Sequence, residues 1–113
     1  MATASPAALE GQASGPHYAA TKGGLISMMR SLAVGLARHG VRANSTLPGW
    51  IDTDMTHDWL HRDTVKKYLL RCVPMHRWGD TTYFGPIAVY LVSDASAYHT
   101  GDTFVIDGGY SLF

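Results

Sequence analysis

Residues 18–49 read YAATKGGLISMMRSLAVGLARHGVRANSTLPG, and they set the architecture of the chain. Apolar side chains recur there at steps of three and four residues, which is the period of an amphipathic helix: Leu25, Met29, Leu32 and Leu36. Gly40 follows as a stop signal, so the pattern predicts a helix over residues 18–39. Residues 41–47 are short and partly apolar and lead into Pro48-Gly49, which predicts a strand that runs into a turn.

Further elements are predicted on both sides of this stretch. Residues 1–16 contain two prolines and two glycines and predict a loop. Residues 54–71 predict one or two amphipathic helical turns, and residues 82–93 predict a second helix with Pro86 in its first turn. Thr103–Ile106 predicts a short strand. The order helix, strand, helix, helix, strand predicts one α/β domain over residues 1–113 with parallel strands.

Composition and charge restrict the classes of function. Of 113 residues, 46% are hydrophobic, and nine basic residues balance nine acidic ones, so no net field attracts nucleic acid or an anionic membrane. No apolar run approaches the roughly 18 residues that span a bilayer. Cys72 is the one cysteine, which excludes an internal disulfide and fits a reducing compartment. We therefore expect a cytoplasmic protein that binds neither nucleic acid nor membrane, with Cys72 as a packed, unreactive thiol.

Tyr18 and Lys22 are the first candidate catalytic pair. They are four residues apart at the start of the predicted helix, so both side chains share one face about one turn apart. An ammonium close to a phenol favours the phenolate form, which eases proton exchange near neutral pH. The spacing alone also occurs by chance in many helices, so the pair gains meaning only from its context.

That context is three sequence blocks in a fixed order. Tyr18-Ala-Ala-Thr-Lys22-Gly-Gly is followed by Gly40-Val-Arg-Ala-Asn44-Ser-Thr-Leu-Pro48-Gly49-Trp-Ile51-Asp-Thr53, and then by Gly101-Asp-Thr-Phe-Val-Ile-Asp107-Gly108-Gly109. The blocks and their spacing resemble the short-chain dehydrogenase/reductase family over residues 2–110. The resemblance implies a Rossmann-like fold, of which this chain corresponds to the C-terminal half, and reduction of a carbonyl or oxidation of an alcohol with NAD or NADP.

The resemblance also implies roles for individual residues. Tyr18 resembles the catalytic acid/base, and Lys22 resembles the residue that favours its phenolate and holds the nicotinamide ribose. Ser5, thirteen residues before Tyr18, resembles the hydroxyl that orients the substrate carbonyl. Four residues match the stretch that lies against the nicotinamide and its carboxamide: Pro48, Gly49, Ile51 and Thr53. Asn44 matches a structural asparagine of the family.

The chain departs from the family in the dinucleotide-binding unit. Such a unit needs a strand, a glycine-rich turn and a helix N-terminus for the pyrophosphate, and the sequence has no glycine spacing of that kind. Gly108-Gly109 precedes no predicted helix, so we interpret it as a backbone turn. We therefore expect binding of NAD or NADP to be weak or absent in this chain.

Two alternative functions remain open at this stage. Ser5, Tyr18 and Lys22 resemble the residues of a cofactor-free esterase, in which Tyr18 acts as the base for Ser5. A non-catalytic fragment or assembly module is the other alternative. The expected partners are a small-molecule carbonyl, alcohol or ester and further copies of the chain, because two strands are too few for a stable parallel sheet.

The sequence around two histidines resembles a metal-binding helix. His57-Asp58-Trp59-Leu60-His61 spaces the histidines as zinc-protease helices do. Asp58 is one methylene shorter than the glutamate base of those helices, and no third ligand is evident from the spacing. We interpret the segment as a cover on the substrate side and predict no metal. Trp50, Trp59 and Trp78 fit either an apolar substrate pocket or the core.

Overall fold

A parallel sheet covered by helices forms the centre of the chain in a computed structural model that describes residues 1–112. Its helices and strands, in chain order, are β1 (Ala2–Thr3), α1 (Ala7–Glu10), α2 (Pro16–Leu36), β2 (Ser45–Pro48), β3 (Ile51–Asp52), α3 (His57–Leu60), α4 (Asp63–Leu69), β4 (Gly79–Asp80), α5 (Phe84–Val92) and β5 (Thr103–Ile106). The α/β class with parallel strands is confirmed.

The main sheet has the strand order β1-β2-β5. Ala2 pairs with Ser45 on one side of β2, and Pro48 pairs with Ile106 on the other. All pairs are parallel, so the carboxyl ends of the three strands lie at one edge of the sheet. β5 has the predicted bounds, and β2 begins four residues later than the predicted strand because residues 41–44 precede the ladder.

The prediction of a loop over residues 1–16 is wrong in part. β1 is a strand because β2 supplies hydrogen-bond partners to its backbone, as in the bond from Ala4 N to Thr46 O of 2.8 Å. α1 then fills the interval between Pro6 and Gly11 with one helical turn. The sheet therefore has three strands where the sequence predicted two, since a two-residue strand leaves no periodic signal.

α2 is the longest element, and its buried face overlaps the predicted apolar stripe only in part. It begins at Pro16, whose fixed φ suits a first helical turn, and a 3₁₀ turn over Ala37–His39 ends at Gly40 with φ 73°. Its buried residues are Ile26, Met29 and Ala33. Leu32 and Leu36 of the predicted stripe are exposed. The helix therefore presents part of its apolar surface to solvent.

The core is small and lies between α2 and the sheet. One cluster contains Ala4, Ile26 and Leu47, and a second contains Met29, Ala33 and Ala43. Buried Asn44 joins β2 to the chain before β5, because its amide donates to His99 O at 3.0 Å and accepts from Asp102 N at 3.0 Å. This contact agrees with a structural asparagine at this position.

The remaining elements lie between β2 and β5 along the chain. β3 and β4 form a separate two-stranded parallel sheet, in which Asp52 pairs with Asp80. The predicted helical turns of residues 54–71 are α3 and α4, and α5 lies within the predicted range 82–93 with Pro86 in its first turn. Within residues 1–112, no helix combines the length and apolar character needed to cross a membrane.

Candidate active site

One cleft contains all seven residues that the sequence singled out. Its volume is about 770 Å³, and it opens between the start of α2, the chain after β1 and the turn after β2. These elements meet there because the carboxyl ends of parallel strands share one edge of the sheet. The seven residues are Ser5, Tyr18, Lys22, Pro48, Gly49, Ile51 and Thr53.

Tyr18 and Lys22 lie one turn apart on α2 and face the cleft together. The Lys22 ammonium is 5.6 Å from the centre of the Tyr18 ring. Lys22 also donates a hydrogen bond from Nζ to Thr3 O at 3.0 Å, so the end of β1 fixes its position. Tyr18 is 42% exposed, which leaves its ring accessible to a small molecule.

Ser5 lies in the bend that joins β1 to α1. Its Oγ accepts a hydrogen bond from Ala7 N at 3.3 Å, and the side chain is half-buried. A hydroxyl that accepts from the backbone retains its own proton for donation. Ser5 can therefore donate a hydrogen bond into the cleft from the wall next to Tyr18.

The turn after β2 forms the opposite wall and approaches β5 closely. Gly49 N donates to Ile106 O at 3.0 Å, and a Cβ on Gly49 would lie 2.6 Å from Asp107 Cα. Thr56 Oγ1 donates to Ile51 O at 2.7 Å and bonds Thr53 Oγ1 at 2.9 Å. These bonds hold the chain between β3 and α3 against the cleft.

The structure shows where the three tryptophans lie, which their spacing in the sequence did not decide. Trp50 lines the cleft and contacts the ring of Trp59 at 5.4 Å between centroids. Trp78 lines a smaller hollow of about 220 Å³ on the other side of Trp50. None of the three rings belongs to the core, since Trp50 and Trp78 line these hollows and Trp59 is exposed.

Tyr110 and Glu10 are among the cleft residues that sequence reasoning missed. Tyr110 follows the Gly108-Gly109 turn and meets Trp50 edge to face at 5.8 Å between ring centroids. Glu10 places a carboxyl in the cleft, and its partial removal from water raises its pKa, with a smaller rise from Asp107. Neither residue belongs to a sequence motif. They reach the cleft because the carboxyl ends of the strands that precede them lie side by side at one edge of the sheet.

Cys72 takes no part in the cleft. It is half-buried, and its thiol contacts Tyr68 O at 3.6 Å. The contact is a weak hydrogen bond of the kind a packed thiol makes.

Comparison with known proteins identifies the family. A family model described as enoyl-(acyl carrier protein) reductase matches residues 1–111. A short-chain type dehydrogenase/reductase from Mycobacterium ulcerans superimposes with a TM-score of 0.93 and 30% identity, over 97% of this chain and 40% of that one. The chain belongs to the short-chain dehydrogenase/reductase family.

Relatives within the family are named as dehydrogenases and reductases. L-Rhamnose 1-dehydrogenase (NAD(P)(+)) from a Sphingomonas species is 41% identical over 110 residues, which are 96% of this chain and 43% of the relative. The human 3-oxoacyl-[acyl-carrier-protein] reductase is 36% identical over 104 residues, 92% of this chain and 41% of the relative.

A solved relative contains a dinucleotide. Gluconate 5-dehydrogenase from Burkholderia cenocepacia, in complex with NADP and tartrate, has a TM-score of 0.91 and 27% identity over 98% of this chain and 44% of its own. The chain thus spans about two fifths of the length of the relatives it matches. Its Rossmann-like α/β fold matches the corresponding part of their structures.

Proposed function

We propose that this cleft interconverts a hydroxyl and a carbonyl group of a small molecule, with a nicotinamide dinucleotide as hydride carrier. The single observation that carries the proposal is the convergence of Ser5, Tyr18, Lys22 and the Pro48–Thr53 turn on one cleft. Family membership supports this chemistry, since the relatives described above are named as dehydrogenases and reductases.

The residues present fit the nicotinamide and ribose part of such a carrier. The cleft has the size of an ordinary small-molecule site, with apolar walls and a few polar groups. Lys22 would hold the ribose, and the turn from Pro48 to Thr53 would contact the nicotinamide ring. The described residues include no glycine-rich turn before a helix, so this part of the chain offers no cradle for the pyrophosphate.

Each catalytic side chain has a definite task in this proposal. When bound, the nicotinamide supplies or accepts the hydride. Tyr18 donates its phenolic proton to the carbonyl oxygen during reduction and accepts it back during oxidation. Lys22 stabilises the Tyr18 phenolate by its charge, and Ser5 donates a hydrogen bond to the same substrate oxygen and orients it.

The proposal predicts the effect of removing one hydroxyl. The assay would follow oxidation of L-rhamnose at a high concentration of NAD(P)⁺ and reduction of an acetoacetyl thioester at a high concentration of NAD(P)H. Tyr18→Phe should lower the rate by roughly 10²- to 10⁴-fold, because a positioned acid/base contributes on that order. Lys22→Met should also slow the reaction, because Tyr18 loses its cationic neighbour and the ribose loses its proposed contact.

A second tyrosine and lysine in the chain provide a matched control. Lys67 Nζ lies 5.5 Å from the ring centre of Tyr68, nearly the distance of the first pair, and neither residue lines the cleft. Tyr68→Phe and Lys67→Met should leave the rate unchanged. Equal rates in Tyr18→Phe and Tyr68→Phe would contradict the assignment of Tyr18.

The same preparation tests the esterase alternative. The comparisons give that alternative no support, because the relatives above are named as dehydrogenases and reductases. We expect no Tyr18-dependent hydrolysis of a p-nitrophenyl ester. Ester turnover that Ser5→Ala and Tyr18→Phe both abolish would favour the hydrolase over the oxidoreductase.

A further inference from the structure

Two histidines and an aspartate meet on the outer side of the segment that forms the cleft wall. Asp52 Oδ1 lies 2.9 Å from His57 Nδ1, and Asp52 Oδ2 lies 2.7 Å from His61 Nε2. The ligand atoms of the three residues all lie within 4.8 Å of one another. Asp52 is the third group that the spacing of the histidines did not reveal.

The fold explains why these three side chains converge. Asp52 ends β3, and α3 begins five residues later, after the bonds of Thr56 to Thr53 and Ile51 have turned the chain back. His57 and His61 are four residues apart and share one face of that turn, with ring centroids 4.3 Å apart. The hydrogen bonds of the Thr56 hydroxyl therefore hold the chain between β3 and α3 in the turn that brings the three side chains together.

The donor set and its surroundings favour a cation. Two imidazoles and one carboxylate are the nitrogen and oxygen ligands that zinc and neighbouring divalent transition metals take. Residues 52–63 contain four aspartates and one arginine, which gives this segment a formal charge of −3 with neutral histidines. Asp80 pairs across from Asp52 and adds a further carboxylate nearby.

The geometry needs only a small change to accept a metal ion. Ligands around tetrahedral zinc lie about 3.3 Å apart, given bonds of about 2.0–2.1 Å, so the two short contacts must open by roughly half an ångström. A neutral imidazole carries one proton and can hold it on its outer nitrogen, which leaves a lone pair on the nitrogen that faces Asp52. The side chains of His57 and His61 are exposed and free to make this adjustment.

From these observations we propose that Asp52, His57 and His61 bind a divalent transition-metal ion of the zinc type, with water completing its coordination. The ion would tie α3 to β3 and so stiffen the wall that carries Ile51, Thr53 and Thr56. None of the three ligands lines the cleft itself. The site therefore neither requires nor tests the proposed oxidoreductase activity.

Metal titrations of the purified chain test the proposal. Co²⁺ should produce saturable visible absorption at one equivalent, and Zn²⁺ should displace it. His57→Gln, His61→Gln and Asp52→Asn should each weaken Zn²⁺ binding by roughly tenfold or more. His39→Gln and Asp58→Asn are the matched controls, because both residues are exposed and lie outside the cluster, and they should leave the affinity unchanged.

A second measurement avoids any dependence on the folding of variants. In the unaltered chain, Co²⁺ should shift the ring resonances of His57 and His61 and leave those of His39 and His76 in place. Failure to saturate with Co²⁺, or equal Zn²⁺ affinity in His61→Gln and His39→Gln, would overturn the proposal.

Discussion

Gly49 shows how one missing side chain allows two parts of the chain to meet. The turn after β2 passes directly over the residue that follows β5, and Gly49 N donates to Ile106 O. A Cβ at Gly49 would lie 2.6 Å from a backbone carbon of Asp107, which cannot rotate away as the end of a side chain can. Glycine is required here by close approach.

We predict that Gly49→Ala destabilises the protein. Overpacking against a rigid neighbour costs about 1–3 kcal/mol, so the free energy of unfolding should fall by that amount in a urea titration followed by circular dichroism. The turn also carries the proposed nicotinamide contacts, and any activity should fall with the altered position of Pro48 and Ile51.

Gly23→Ala provides the opposite case. Gly23 lies in the interior of α2, and a Cβ there meets nothing within 4 Å. Alanine should raise the free energy of unfolding by up to about 1 kcal/mol, because glycine is a poor helix former. If Gly49→Ala and Gly23→Ala changed the free energy of unfolding equally, contact with Asp107 would not be the cause of the change at Gly49.

The sequence predicted which side chains of the site lie together when the residues belong to one helix or strand. Tyr18 and Lys22 face the same cleft because a spacing of four residues fixes their relation within any helix. Asp52 was missed as a partner of His61, because their contact depends on how β3 and α3 fold against each other. Tyr110 and Glu10 escaped notice for the same reason.

At the scale of elements, the turn after β5 depends on one carboxylate. Asp107 Oδ1 accepts from Gly109 N, and Oδ2 accepts from Ser111 N, each at 2.8 Å. Gly108 and Gly109 have φ of 67° and 89°, so the interpretation of this pair as a backbone turn agrees with the structure. Partial burial opposes ionisation of Asp107, but hydrogen bonds from Ser111, Gly109 and Tyr110 outweigh it and lower the pKa.

This lowered pKa predicts a pH-dependent contribution to stability. A carboxyl with a lower pKa in the folded state stabilises the fold fully above its unfolded pKa, near 4, and loses the contribution as the pH falls through the folded value. Asp107→Asn should therefore cost about 1–2 kcal/mol at pH 7, as expected for lost hydrogen bonds to a charged group. The difference from the unaltered chain should shrink as the pH is lowered toward 3.

Urea titrations at several pH values measure this effect. Asp94→Asn is the control, because Asp94 is exposed and its carboxylate makes no hydrogen bond within residues 1–112. It should leave the pH dependence unchanged. A destabilisation by Asp107→Asn that stays constant from pH 7 to pH 3 would contradict the role of the ionised carboxylate.

Elements with a strong local pattern were predictable, and those made by pairing were not. The period of α2 and the β-branched run of β5 are local signals, so both elements lie close to their predicted bounds. β1, β3 and β4 have two residues each and exist because a neighbouring strand accepts their hydrogen bonds. The buried face of α2 also depends on the sheet, which selects Ile26 and Ala33 over Leu32 and Leu36.

At the scale of the whole molecule, the chain exposes more surface than a compact monomer of the same mass does. A compact monomer of 12.3 kDa has about 6,100 Å² of accessible surface and a radius of gyration near 13 Å. This chain has 7295 Å² and 15.3 Å. The excess of roughly 1,200 Å² on one chain is more than the roughly 800 Å² that each partner buries in a specific interface of standard size.

The exposed face of α2 contributes apolar side chains to this excess. Met28, Leu32 and Leu36 follow one another at steps of four residues on this face, and all three are exposed. Such a contiguous apolar face on one long helix favours association, since burial of each large side chain contributes about 1.5–3 kcal/mol. Two copies related by a two-fold axis would place the same face against itself.

We therefore predict that the 113-residue chain self-associates through α2. Gel filtration coupled to light scattering should give a mass above 12.3 kDa at micromolar concentration. Leu32→Glu should shift the population toward the monomer, because a carboxylate at the centre of the contact would be desolvated. Val34 is 84% exposed but lies on another side of α2, so Val34→Glu should leave the mass unchanged. A folded species of 12.3 kDa that Leu32→Glu does not alter would show that the apolar face of α2 remains exposed to solvent, and the prediction of self-association would then be wrong.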